Sequence, residues 1–280
     1  MNPTVQLEDE LGDVLEKAMQ QAGINEVALA KATGISEGRI RDAIDYRPDF
    51  SVEELRRLAV ALGLNEIGFC ALGCGRYPQP EITALPFDVW PLRMTHGIGV
   101  TNAYVVAEAG ADRGLLFDTG AGIDALENVW PSNVHHLDAV FLTHVETEHV
   151  GGLCEVVKRF GGVPAFVPCL ANAPCGRAMG EGEKKVFGAF EVLAFSTPGH
   201  AAAHNCYLVR EAADRGGRGL LISGDLVFAG SAGGGYFCHR QLQANVRRVL
   251  DAVPPATVIA PGHGPLTTAE NELRYNPFIA

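Results

Sequence analysis

The feature that most constrains this chain is the repeated ending of short apolar runs on a histidine or a carboxylate. Residues 114–117 (GLLF) lead into Asp118-Thr119-Gly120, and residues 139–142 (AVFL) lead into Thr143-His144. The segment THVETEHVGG, residues 143–152, then supplies His144, Glu146, Glu148 and His149. Residues 219–222 (GLLI) precede Ser223-Gly224-Asp225, residues 257–260 (TVIA) precede PGHGP with His263, and His200 closes TPGH. Such runs have strand length, and layered α/β folds carry their chemistry where strands end. A lone loop histidine is ordinarily a solvated side chain. Several strand ends delivering metal-competent groups are hard to explain as packing, and they predict a metal centre.

The bulk numbers are compatible with that reading. A chain of 280 residues, nearly half of them apolar, is long enough for one large domain and a small one. The net charge of −11 argues against broad, non-specific binding to nucleic acid or anionic membrane. No apolar run reaches the ~18–20 residues of a membrane span. The opening residues carry neither the basic nor the apolar segment of a secretory signal, so a cytoplasmic protein is expected. Seven cysteines contain no CxxC pair, which suggests reduced thiols; Cys70 and Cys74 have no second pair with which to share a metal.

Two compositional regimes meet near Pro78-Gln79-Pro80. The expected organisation is a helical domain over residues 1–75, a linker over 76–83 and an α/β domain over 84–280. In the first part, residues 11–21 have helical apolar spacing and stop at Gly23; a second helix runs from about 25 to 33, before Gly34. Ser36 is placed to cap a third helix, and Ser51 with Glu54 forms a capping-box pattern for a fourth.

Residues 29–64, with the Ala-x-x-x-Gly-Ile-Ser core, Ile40 and the later Leu-Ala-x-Ala-Leu-Gly segment, resemble the Cro/repressor-like helix-turn-helix family. That resemblance implies a third helix in the major groove, with Ser36, Arg39 and Arg41 as the DNA-binding residues, and a homodimer matched to a palindromic operator. Residues 1–75 nevertheless hold thirteen acids against seven bases, which leaves little for phosphate neutralisation. The other reading of this module is dimerisation or protein contact.

From residue 84 onward the order FDTG, THxxxxHxGG, TPGH, GD, GHG resembles the metallo-β-lactamase superfamily. The resemblance implies a four-layer αβ/βα sandwich behind the small all-α domain, with a dinuclear metal site at one edge of its sheets. Carried over by position, His144, Glu146 and His200 would hold one metal, and Glu148, His149 and His263 the other. Asp225 would bridge them, and Asp118 would orient the cluster from behind. Asp118 and Asp225 are also the expected catalytic residues, positioning the attacking water.

Two positions depart from the commonest pattern, Thr-His-x-His-x-Asp-His: Glu146 stands for the second His and Glu148 for Asp. More hard oxygen donors favour iron or manganese over zinc, so the expected cofactors are two metal ions, iron or zinc, with manganese as a third candidate. The pattern His-x-Glu-x-Glu-His also resembles the di-iron branch of the superfamily, which handles dioxygen or nitric oxide; such a protein would need an outside electron donor. GDLVFAGSAGGGYF (residues 224–237) and PGHGP resemble instead the glyoxalase-II-like hydrolases. Two functions follow as expectations. One is a metal-dependent hydrolase of a thioester, lactone or related ester. The other is a di-iron sensor or oxidoreductase for a diatomic gas, coupled to transcription.

The remaining candidates receive plain expectations. Tyr236, His239 and Arg240 read as surface residues, His135 and His136 as loop, His204 as a hydrogen-bonded structural histidine, and Tyr275 and Phe278 as core. His96 has no partner in the sequence.

Overall fold

The computed structural model describes residues 5–97, 99–213 and 218–280. Its first part is five helices: α1 (Leu11–Ala22), α2 (Glu26–Thr33), α3 (Glu37–Ile44), α4 (Val52–Leu62) and α5 (Glu66–Gly73). Local chemistry sets their limits. Asn25, Ser36, Ser51 and Asn65 each accept a backbone N–H at the start of a helix, satisfying donors the helix itself cannot. Gly23, Gly34 and Gly63 end α1, α2 and α4 in the left-handed region. In α1 the residues Leu11, Val14, Leu15, Ala18 and Met19 fall on one face, and all are buried against Leu29, Ile40, Leu55 and Phe69.

The second part contains β1 (Asp88–His96), β2 (Gly99–Ala107), β3 (Arg113–Phe117), α6 (Ile123–Asn128), β4 (His136–Phe141), α7 (Thr147–Val150), α8 (Leu153–Arg159), β5 (Ala165–Pro168) and β6 (Arg177–Met179). It continues with β7 (Lys184–Phe187), β8 (Phe190–Ser196), β9 (Asn205–Glu211), β10 (Leu220–Gly224), β11 (Val227–Phe228), β12 (Ser231–Ala232), α9 (His239–Ala252), β13 (Val258–Pro261), β14 (Thr267–Thr268) and α10 (Ala269–Tyr275). One six-stranded sheet has the order β1-β2-β3-β4-β5-β6, the other β14-β13-β10-β9-β8-β7, and β11 and β12 form a small ribbon.

Strand alternation decides which side chains lie between the sheets. Tyr104, Val106, Leu115 and Phe117 of the first sheet meet Val192, Ala194, Leu220, Ile222, Val258 and Ala260 of the second. Their neighbours Val105 and Leu116 turn outward, where they pack with Leu126 and Val156 from α6 and α8. Leu221 and Ile259 likewise turn toward Leu242, Val246 and Val249 of α9. Both faces of each central strand are therefore covered, which explains the near-continuous apolar runs in the sequence. The result is helix, sheet, sheet, helix in four layers.

The helical part packs directly on this sandwich. Asn65 donates from its amide to the carbonyls of Arg274 (3.2 Å) and Ile279 (3.0 Å), and its backbone N–H donates to Pro277 (2.8 Å). The Tyr77 hydroxyl donates to buried Glu272 at 3.0 Å. Gly68 of α5 lies so close to α10 that a Cβ there would sit 1.7 Å from the Tyr275 carbonyl oxygen. Tyr275 and Phe278 join the helical core, as the sequence reading expected of them.

Candidate metal centre

β3, β4, β10 and β13 release Asp118, His144, Asp225 and His263 at one edge of the two sheets. α7 carries Glu148 and His149, with Glu146 just before it, and His200 lies in the connection between β8 and β9. Two trios converge: His144, His200 and Asp225, and His149, Asp225 and His263. Asp225 belongs to both. Its Oδ1 lies 3.6 Å from His149 Nε2, while Oδ2 lies 3.6 Å from His200 Nε2 and 3.4 Å from His263 Nε2.

The far nitrogen of each imidazole is anchored. His149 Nδ1 lies 3.0 Å from Asp118 Oδ2, His200 Nδ1 2.9 Å from the Gly234 carbonyl, and His263 Nδ1 2.9 Å from the Val100 carbonyl. A ring nitrogen facing a carbonyl must carry the proton, so Nε2 of His200 and His263 presents its lone pair to a metal when the ring is neutral. His144 Nδ1 lies 3.0 Å from the Thr143 hydroxyl. Asp118 also accepts from the Thr143 backbone N–H (2.7 Å) and hydroxyl (2.8 Å), so one carboxylate ties the ends of β3 and β4 together.

These residues fit a pair of metal ions. Nε2 of His144, His149 and His200 and Oδ1 of Asp225 are buried without any hydrogen-bond partner, a costly arrangement that a cation relieves. Gly262 belongs to the same cradle: a Cβ there would sit 2.1 Å from Asp225 Oδ1. The electrostatics match. Burial and the neighbouring His149 hold His144 well below the usual imidazole range. Burial opposes charge on both His263 and Asp225, yet Asp225 carries His263 up to about 9, and His149 together with His263 draws Asp225 well below the carboxylate range.

Glu146 and Glu148 stand outside the two trios but beside them. Glu146 Oε1 lies 3.1 Å from His200 Nε2, off the line of a hydrogen bond, and Oε2 lies 4.0 Å from His144 Nε2. Glu148 Oε2 lies 3.9 Å from His96 Nε2, which gives His96 a partner that spacing alone did not reveal. His204 is the buried structural histidine expected of it, bonded to the Thr197 hydroxyl at 2.7 Å and accepting from the Asp225 backbone N–H at 3.2 Å. His136 differs from its expectation, since it opens β4 rather than lying in a loop. Tyr236 is exposed, as expected of it, but it does not face away from the site. Its ring lies 5.3 Å from that of His200, and it lines the cleft above the centre.

The cleft also has a wall that local sequence patterns did not suggest. Glu8 and Asp9 precede α1, and Asp13, Glu16, Lys17 and Gln20 belong to it; all line the cleft. Glu8 lies 3.6 Å from His263 Nδ1. Lys17 pairs with Asp9 and donates to the Ala232 carbonyl at 2.9 Å, while Asp9 accepts from the Ser231 hydroxyl. Away from the cleft, Ser36 caps α3, Arg39 is held by Asp49 and Glu54, and Arg41 pairs with Glu37.

Four layers with a shared-carboxylate centre at the sheet edge define a metal-site protein of the metallo-β-lactamase type. Residues 96–263, more than half of the chain, match the metallo-beta-lactamase superfamily, and the chain belongs to it. It is 29% identical over 215 residues to "Probable metallo-hydrolase YqgX" of Bacillus subtilis (strain 168), covering 67% of this chain and 96% of that one. It is 27% identical over 152 residues to the hydroxyacylglutathione hydrolase of Citrobacter koseri, covering 54% and 57%. Among solved structures it resembles TTHA1623 in a di-iron-bound form, with a TM-score of 0.53 and 28% identity over 66% of this chain and 98% of that one. The family match leaves α1 to α5 outside it. Among the described residues no helix is long and apolar enough to cross a membrane.

Proposed function

We propose that the chain is a dinuclear-metal hydrolase acting on a thioester, lactone or related small ester. The observation that carries this is the pair of ligand trios sharing Asp225, with the Nε2 atoms of His144, His149 and His200 buried without a hydrogen bond and His200 at the floor of a cleft. His144, Glu146 and His200 would hold one ion, and Glu148, His149 and His263 the other, with Asp225 between them. Such ions supply Lewis acidity and acidify water toward neutral pH. The chain's own residues do the rest. Asp225 accepts a hydrogen bond from an attacking water and fixes its direction; Asp118 keeps the His149 ring turned inward; Glu146 lies beside His200 as a further donor to the same ion. A panel of thioesters and lactones with metal-loaded protein tests this. Turnover lost in Asp225→Asn supports it, and no turnover of any member sinks it.

One observation favours a second reading. Glu146 beside His144 and His200 adds a hard donor where the commonest pattern has histidine, and the similarity to TTHA1623 in its di-iron-bound form is consistent with iron. In that reading the centre takes dioxygen or nitric oxide. An oxygen-dependent absorption band with no ester turnover would select it.

The helix-turn-helix reading of residues 1–75, with a homodimer contacting DNA or a protein, belongs to the same proposal. Base contact by Arg39 and Arg41 would require their ion pairs with Asp49, Glu54 and Glu37 to open. Gel-shift and sedimentation measurements test DNA contact and dimerisation separately.

A further inference from the structure

We infer that the wall contributed by the helical region makes this cleft selective for small ligands carrying an ammonium group and unfavourable to anionic ones. The inference rests on reading the metal centre as a ligand-processing site, and it assigns the substrate class of that site.

The cleft has a volume of about 360 Å³, room for a small molecule. His200 forms part of its floor, only 4% exposed, its Nε2 making no hydrogen bond although Glu146 Oε1 lies 3.1 Å away, so the cleft opens directly onto the centre. Four carboxylates of its wall, Glu8, Asp9, Asp13 and Glu16, come from the helical region; Glu146, Glu148 and Asp225 come from the α/β part. Seven carboxylates thus face one lysine, and Lys17 is already committed to Asp9 and to the Ala232 carbonyl. Two divalent ions would cancel four of those charges and Lys17 a fifth, leaving a negative surface above the metals. Among the described residues Glu16 has no ion-pair partner, so its charge is available to a ligand. Asp13 accepts from the Tyr46 hydroxyl at 2.6 Å.

A second feature points the same way. Tyr236 is 78% exposed at the rim, beside His200. An aromatic ring and carboxylates lining one cleft are the combination that recognises ammonium groups, because the π face and the carboxylates both attract a weakly hydrated cation. An anionic ligand such as a glutathione conjugate would meet uncompensated repulsion from the same wall.

The test compares three non-hydrolysable ethers of similar size on the metal-loaded full chain by calorimetry: (2-methoxyethyl)trimethylammonium, its uncharged isostere 1-methoxy-3,3-dimethylbutane, and the anion 4-methoxybutanoate. The expected result is that the cation binds about tenfold tighter than the isostere at low salt, with the anion weakest, and that the preference shrinks with added salt. Glu16→Gln and Asp13→Asn should each reduce it by roughly two- to fivefold, and Tyr236→Leu should reduce it without altering its salt dependence. Equal binding of cation and isostere, or a preference untouched by all three substitutions, overturns the assignment. The corresponding acetyl thioesters are assayed alongside. Selective ether binding with no turnover of these or of the thioester and lactone panel removes the hydrolase reading and leaves the acidic wall standing; turnover with no charge preference does the reverse.

Discussion

Asp118 Oδ2 lies 3.0 Å from His149 Nδ1, while the same side chain accepts from both the backbone N–H and the hydroxyl of Thr143. One buried carboxylate therefore sets the ring orientation of one ligand and the position of the backbone that carries another, His144. Asp118 itself has φ 59°, a left-handed conformation uncommon for a non-glycine residue, which its three contacts hold in place.

Replacing Asp118 with Asn keeps the size but presents an amide to at least one donor. The expected outcome is a folded protein whose metal affinity falls by about 10- to 100-fold. Competition with a chelator, read by elemental analysis, measures it; unchanged affinity would remove the orienting role.

The shared position of Asp225 predicts unequal losses. Asp225→Ala should reduce metal content from about two ions per chain toward none, because both trios lose a member, whereas His263→Ala should leave about one. Chelation of the parent protein should lower its melting temperature, and returned metal should restore it, since ions that bind only the folded chain stabilise it. Equal metal content in the two variants would contradict the shared arrangement.

Glu146→His exchanges a hard donor for an imidazole next to His200. The ratio of iron to zinc in protein purified without added metal should shift toward zinc, by roughly tenfold if carboxylate hardness sets the preference. An unchanged ratio would place Glu146 outside the coordination.

The Arg39 and Ser51 hydrogen bonds hold the Glu54 carboxyl down at about 2, below its usual 4.5. A lowered carboxyl stabilises the fold fully above pH 4.5 and loses that contribution as pH falls toward 2. The melting-temperature difference between the parent protein and Glu54→Gln should therefore be constant near neutrality and close between pH 4.5 and 2. A difference that persists at pH 2 would assign the effect to packing.

Gly68→Ala would drive a methyl group into the Tyr275 carbonyl, separating α5 from α10. Overpacking of this kind costs about 1–3 kcal/mol, here with backbone as the obstacle, and should appear as a lower denaturation midpoint. Susceptibility of the helical part to protease should rise with it.

The helical part was legible in detail because its signals are local. Asn25, Ser36 and Ser51 cap where their side chains place them, and Gly23 and Gly34 end helices as expected. The trios were legible because His144, Asp225 and His263 each follow an apolar strand, and His149 and His200 sit in the short segments THVETEHVGG and TPGH. What escaped was contact between distant elements. Nothing in the periodicity of α1 tells that its polar face, with Asp13, Glu16 and Lys17, looks onto the metal cleft rather than into solvent. His96 and Glu148, and Tyr236 and His200, are neighbours through tertiary packing alone. The strand Asp88–His96 was missed because its mixture of Trp90, Pro91 and Arg93 shows neither a continuous apolar run nor clean alternation.

The amide of Asn65 reaches carbonyls 209 and 214 residues further along the chain. During synthesis the five helices emerge before the sandwich, and Tyr275 and Phe278, which complete their core, emerge after most of it. The early helices must therefore wait, with part of their apolar surface uncovered, until the entire α/β sandwich has been made. The slowest step in maturation of this protein should be the closing of this long circuit, and a chain that stalls before it is the form most exposed to chaperones and proteases.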